Sequence, residues 1–310
     1  MTAVDLSTSL AGVTLPNPVM TAAGCAAAGR ELEPFLDVAA LGGVVTRSVT
    51  LDPRAGWPPP RMVETASGVL SGTGLQGPGI GGFLATELPW LVQRQARAVV
   101  SIAGESLAEF AELARRVGNS PGVTAVEVNL GWPEDAATGR DPYQASKVVN
   151  VVRRDVPRGI PVLAKLAPVV HSVVDVTRAV VKAGADGVVL AHTVPGMAID
   201  RRTLRPALGG VTGGLSGPAV HALAVRCVWE VHQALPDVCV VGVGGVRTGY
   251  DALELLLAGA SAVQVGTMIF HDPSSPARIV AELEAELSQR NLTRVADVVG
   301  RAHRPEGELS

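Results

Sequence analysis

A chain of 310 residues can bury a substantial core, as one large domain or two ordinary ones. Apolar residues make up 47% but aromatics only 3%, so the bulk is Ala, Val, Leu and Gly, as buried Val-rich strands and Ala/Leu-rich helices require. A net charge of −3 without a basic stripe argues against nucleic acid as a partner.

In chain order, the opening MTAVDLSTSLAG lacks the basic and long apolar regions of a signal peptide. Eight short apolar runs then read as strands: Val19–Gly24, Gly43–Val49, Ala98–Ala103, Ala125–Leu130, Val162–Leu166, Gly187–Ala191, Cys239–Gly244 and Ala262–Gly266. Helical patterns are expected at Glu31–Leu41, Ser106–Val117, Pro142–Val152, Ser172–Ala183, Pro218–Leu235, Thr248–Leu257 and Pro276–Leu287. Eight such units predict one α/β domain over residues 1–310, a closed (β/α)₈ TIM barrel. An open doubly wound sheet is the alternative, but no early GxGxxG turn supports it. The Pro/Gly-dense stretch Asp52–Gly82 reads as an extended loop insertion after the second strand, a lid or binding loop. Residues from about 300 to 310 read as a frayed tail. The longest uncharged run, Leu255–Phe270, is too short to span a bilayer, so no membrane partner and a cytoplasmic location are expected.

A barrel of this kind works at the carboxyl ends of its strands. Lys165 ends the fifth strand inside an apolar run, where a lone charge needs either a ligand or a structural ion-pair partner. Gly244-Gly245 and Gly266-Thr267 end the seventh and eighth strands, where glycine backbone approaches a phosphate. Cys25, Cys227 and Cys239 form no CxxC pair and cannot hold a four-cysteine cluster. His171, His221, His232 and His271 show no metal-ligand spacing, so no metal is expected.

The segments AGASAVQVGT, TGGLSGPA and GVGG, with LDPRAGWPPPRMVETASGVLSGTGLQGPG, resemble the dihydroorotate dehydrogenase family from about Leu10 to Glu286. The likeness is nearest to the soluble class 1 enzymes, especially the type that works with a separate electron-transfer subunit. It implies an FMN-dependent oxidoreductase of the CH–CH donor type, a small-molecule substrate and a homodimer. On the flavin side, Ala22, Ala23 and Gly24 match the first-strand segment against FMN. Asn129 matches the asparagine between flavin and substrate, and Lys165 the lysine at the pyrimidine edge. Gly217, Gly244, Gly245, Gly266 and Thr267 match the phosphate and ribityl cradle, while Ser101 and Ala191 fall at two further flavin-lining positions.

The substrate side differs from the family. The family's catalytic segment Asn-x-Ser-Cys-Pro-Asn reads Asn129-Leu130-Gly131-Trp132-Pro133-Glu134, so an indole stands at the place of the cysteine base and has no basic lone pair. The strand-two lysine is Arg47, followed by Ser48, and both are expected beside cofactor or substrate. The asparagine of Asn-x-x-Gly-Leu is Ser71, with Gly74 and Leu75 kept; that of the sixth-strand Asn-Thr pair is His192, with Thr193 kept. Arg47 is expected to anchor an acidic substrate bidentately. Trp132 is expected to stack on a planar substrate or close the pocket. His192 or Glu134 is expected to move the proton, against plain readings as a core histidine and a solvated loop acid. The leading expectation is hydride transfer between FMN and a small polar or anionic substrate in a remodelled site. Open beside it stand a genuine dihydroorotate dehydrogenase with an atypical base and an inactive flavin-binding partner protein. A phosphate-binding barrel without flavin, such as an isomerase, fits the wider motif match less well.

Overall fold

A computed structural model describes residues 4–131, 139–168 and 172–305. A hairpin opens the chain, β1 (Thr8–Leu10) with β2 (Val13–Leu15). The barrel strands follow as β3 (Val19–Thr21) and β4 (Val44–Val45). An antiparallel pair, β5 (Met62–Thr65) and β6 (Gly68–Ser71), interrupts them. Next come β7 (Ala98–Ile102), β8 (Val123–Asn129), β9 (Val162–Leu166) and β10 (Gly187–Leu190). A second insertion supplies β11 (Val194–Met197) and β12 (Thr212–Ser216) before β13 (Cys239–Val243) and β14 (Ala262–Val265).

The large sheet has eight parallel strands in the order β3-β14-β13-β10-β9-β8-β7-β4. It closes where Met20 bridges Gly43 and Val45 N donates to Thr21 Oγ1 at 2.9 Å. The expected (β/α)₈ barrel is therefore the observed fold. Side chains alternate along each strand, so Val99, Ala125, Leu163, Val189, Val241 and Ala262 face one interior layer. Leu10 and Leu15 of the opening hairpin pack against that layer, with 0% exposure each. Two residues on, the same faces of β8, β9 and β14 carry Glu127, Lys165 and Gln264, which puts polar chemistry one layer higher.

Outside, amphipathic helices cover the strands. Helices 107–118, 142–155 and 173–182 start at side-chain caps from Ser106, Asp141 and Ser172, and Gly249–Leu257 at a Thr248/Asp251 capping box.

Three expectations need correction. Glu31–Leu41 is no α-helix but two 3₁₀ turns, Arg30–Leu32 and Val38–Ala40, because Pro34 brings no N–H and the Asp37 side chain turns back to accept from Ala39 N. The insertion is sheet, not loop alone: β5 and β6 join β12 and β11 in a four-stranded antiparallel sheet above the barrel mouth. The chain just after residue 299 is also ordered: Arg301–His303 forms a 3₁₀ turn, and the His303 ring stacks on Trp229 at 3.6 Å. Among the described residues, no helix is long and apolar enough to cross a membrane.

Candidate active site

The carboxyl ends of the strands surround a cavity of about 700 Å³. Its floor is the polar layer of the barrel. Lys165, 6% exposed, holds its ammonium 3.5 Å from Glu127 Oε1 and 3.3 Å from Gln264 Oε1. Gln264 Nε2 donates to Glu127 Oε2 at 2.7 Å, and Glu127 has no exposure at all. The ion-pair partner that a lone charge in this strand needs is present, and Lys165 also lines the cavity. Neither Glu127 nor Gln264 was singled out from the sequence, although each lies on an apolar strand at the register that meets the lysine.

Above the floor, Asn129 Nδ2 donates to Ser48 Oγ at 3.0 Å, and Ser48 Oγ lies 2.9 Å from Ser101 Oγ. Asn129 Oδ1 accepts from Gly131 N at 3.0 Å. The amide is held at both ends and cannot rotate without losing a buried bond.

On one side of the cavity, Gly244 and Gly245 adopt φ of +140° and +70°. A Cβ on Gly245 would stand 2.6 Å from His221 Cβ, so the turn requires glycine on both counts. His221 Nδ1 lies 2.8 Å from Gly244 O and Nε2 3.0 Å from Glu254 Oε2, which pins the turn from behind. The ligand atoms of His221, Asp251 and Glu254 lie within 4.8 Å of one another, a grouping that linear spacing does not reveal. Gly217, Gly266 and Thr267 continue this wall, with Thr267 Oγ1 donating to Ser216 Oγ at 2.8 Å. Ala22, Ala23, Gly24 and Ala191 line the cavity with small side chains.

Ser71, Gly74, Leu75, His192 and Thr193 also line the cavity. His192 Nδ1 lies 3.1 Å from Thr193 Oγ1. Burial, and then the charge of Lys165, pushes the imidazole down to about 4. At neutral pH it is therefore the uncharged imidazole that lines the cavity. Cys25 also lines the cavity, and burial drives its thiol up to about 11, so it stays protonated.

Two expected positions lie elsewhere. Ser101 is fully buried behind Ser48 and does not reach the cavity. Arg47 lines a neighbouring space of about 210 Å³ and donates from Nη1 to Gln76 O at 2.7 Å. The carbonyl of Gln76 draws the guanidinium to the far side of Ser48, which lines both spaces. Trp132 and Glu134 lie outside the described residues, as does His171. Ser216, Thr73 and Met62 also line the cavity and were not expected from sequence.

A closed βα barrel with a buried cation and a glycine turn at its strand ends defines a (β/α)₈-barrel enzyme. The model of the family described as dihydroorotate dehydrogenase matches residues 5–287. The catalytic subunit of dihydroorotate dehydrogenase B (NAD(+)) from Desulforudis audaxviator is 44% identical over 308 residues, covering 98% of this chain and 99% of that protein. The protein of the same name from Geobacter sulfurreducens is 44% identical over 300 residues, with 96% and 97% covered. The crystal structure of Eimeria tenella dihydroorotate dehydrogenase with ferulenol shares the fold at a TM-score of 0.80 and 24% identity, covering 97% of this chain and 89% of that one. This chain belongs to the dihydroorotate dehydrogenase family, and it is an oxidoreductase.

Proposed function

We propose that the protein is an FMN-dependent oxidoreductase that moves hydride between the flavin and a small polar, cyclic substrate in a remodelled pocket. One observation carries the reading: a single cavity joins the Gly244–Gly245 turn to Asn129 and the buried Lys165. The fit to FMN rests on that turn, whose positive φ values leave backbone N–H groups free to approach a phosphate where any Cβ would be blocked. About 700 Å³ lies within the range of cofactor sites. Gly217, Ser216, Gly266 and Thr267 would hold the ribityl and phosphate groups, and Ala22, Ala23, Gly24 and Ala191 the ring. When bound, FMN supplies the atom that accepts or returns hydride.

The chain's own residues divide the remaining work. Lys165 puts a cation where negative charge develops. Asn129, fixed by Ser48 and by Gly131 N, orients whatever hydrogen-bonds to it. His192, as a neutral imidazole, accepts or donates a hydrogen bond, and it or Glu134 moves the proton. The names of the relatives favour a second reading, oxidation of dihydroorotate itself with a base other than cysteine. Their designation as catalytic subunits supports a separate electron-transfer subunit as partner, and a cytoplasmic homodimer belongs to the same proposal. Reconstitution with FMN followed by gel filtration tests the cofactor: equimolar flavin travelling with the protein supports it, and complete loss of flavin refutes it.

A further inference from the structure

Behind the glycine turn stand three side chains that do not line the cavity: His221, Asp251 and Glu254. His221 opens the helix His221–Ala234. Asp251 and Glu254 stand three residues apart on the helix Gly249–Leu257, and so share one of its faces. We propose that these three residues bind a divalent transition-metal ion of the zinc type, which fastens both helices to the turn.

The ring's own hydrogen bonds point to a cation. Nδ1 of His221 lies 2.8 Å from Gly244 O, and a carbonyl oxygen only accepts, so this nitrogen carries the ring proton. Nε2 then faces Glu254 Oε2 at 3.0 Å and Asp251 Oδ1 at 4.0 Å. An ionised carboxylate has no proton to give, so the lone pair of Nε2 meets only further lone pairs. An ion between the three atoms resolves that conflict. Metal-binding histidines are held in this way: one ring N–H donates to a backbone carbonyl, which fixes tautomer and ring plane, and the other nitrogen binds the ion.

The carboxylates are placed to complete the set. Asp251 accepts from Arg247 N and Thr248 N through Oδ2, at 2.9 Å each, so Oδ1 can turn to an ion while the helix cap stays intact. Glu254 is the outer ligand, its side chain 42% exposed against 15% for His221, and it opens a path from solvent. The ligand atoms lie within 4.8 Å of one another, and bonds of about 2.0–2.2 Å need only side-chain rotation to close. Two carboxylates balance the charge of a divalent ion. The imidazole among them favours zinc or cobalt over magnesium or calcium, which prefer oxygen alone. Three protein ligands leave a fourth position for water.

The test uses the full chain after dialysis against a chelator, titrated with zinc in a calorimeter. The parent should bind one equivalent. Glu254→Gln and His221→Gln should each weaken it by more than about tenfold, since even the partners of metal ligands are worth about 10–100-fold. Glu254→Gln preserves side-chain size at a half-exposed position, so it decides the matter if His221→Gln fails to fold. Cobalt should give the visible bands of nitrogen and oxygen ligands without a thiolate charge-transfer band, because no cysteine belongs to the set. Absence of saturable zinc binding overturns the proposal and leaves His221 as an ion-pair partner of Glu254 only. Zinc bound equally well by both variants, or a thiolate band with cobalt, overturns it as well, by placing the ion elsewhere. The readout needs no flavin, so it stands apart from the test of the cofactor.

Discussion

The imidazole of His192 lies flush on Gly131: a Cβ at Gly131 would stand 2.9 Å from the ring. In the family pattern that the sequence resembles, serine corresponds to Gly131 and asparagine to His192. The imidazole after β10 thus occupies the space that a side chain at Gly131, after β8 and two strands away, would need. On the proposed reading, that contact ties His192 to the segment that opens at Asn129.

Gly131→Ser should accordingly cost about 1–3 kcal/mol by overpacking. Adding His192→Asn should return most of that loss. A double-mutant cycle by urea unfolding measures the coupling, and strictly additive effects would separate the two residues.

At the barrel floor, Lys165→Met leaves Glu127 buried with no cation. Removing one partner of such a pair typically costs about 3–5 kcal/mol. Combining it with Glu127→Gln should recover most of the stability. A single variant as stable as the parent in denaturant titration would show that the carboxylate is satisfied some other way.

The acid limb of stability should carry the signature of His192. Its folded value of about 4 lies below the ordinary histidine value near 6.5, so the unfolded chain binds the extra proton first between those limits. Stability from this group is full above about pH 6.5 and is lost as pH falls toward 4. His192→Gln should flatten that window. Ring-proton NMR of the wild type should show the neutral imidazole at pH 6, and a protonated ring there would refute the assignment.

At the glycine turn, Gly245→Ala meets both a φ of +70° and His221 Cβ at 2.6 Å. FMN affinity should fall by about tenfold or more, on the scale of a lost backbone hydrogen bond to a charged group. Fluorescence titration reads the change. An unaltered affinity would move the phosphate away from this turn.

Much of this architecture was legible in the sequence, because parallel strands buried on both faces read as plain apolar runs such as Val162–Leu166. The glycine turn and Lys165 stood out for the same reason, as residues that an apolar strand end does not otherwise need. What was hidden depends on contacts between distant segments. Glu127 reads as one acid among many until β8 and β14 set it beside Gln264. The destination of Arg47 depends on the Gln76 carbonyl, in the loop that follows β6. The stretch Glu31–Leu41 has a helical apolar spacing, but Pro34 and the Asp37 side chain override it.

The most direct test of a flavin enzyme with an altered pocket is the visible spectrum of the purified protein under anaerobic conditions, before and after adding dihydroorotate. The expected result is stoichiometric flavin bands that dihydroorotate leaves unbleached. Prompt bleaching by dihydroorotate, or a protein that holds no flavin after reconstitution, would contradict it.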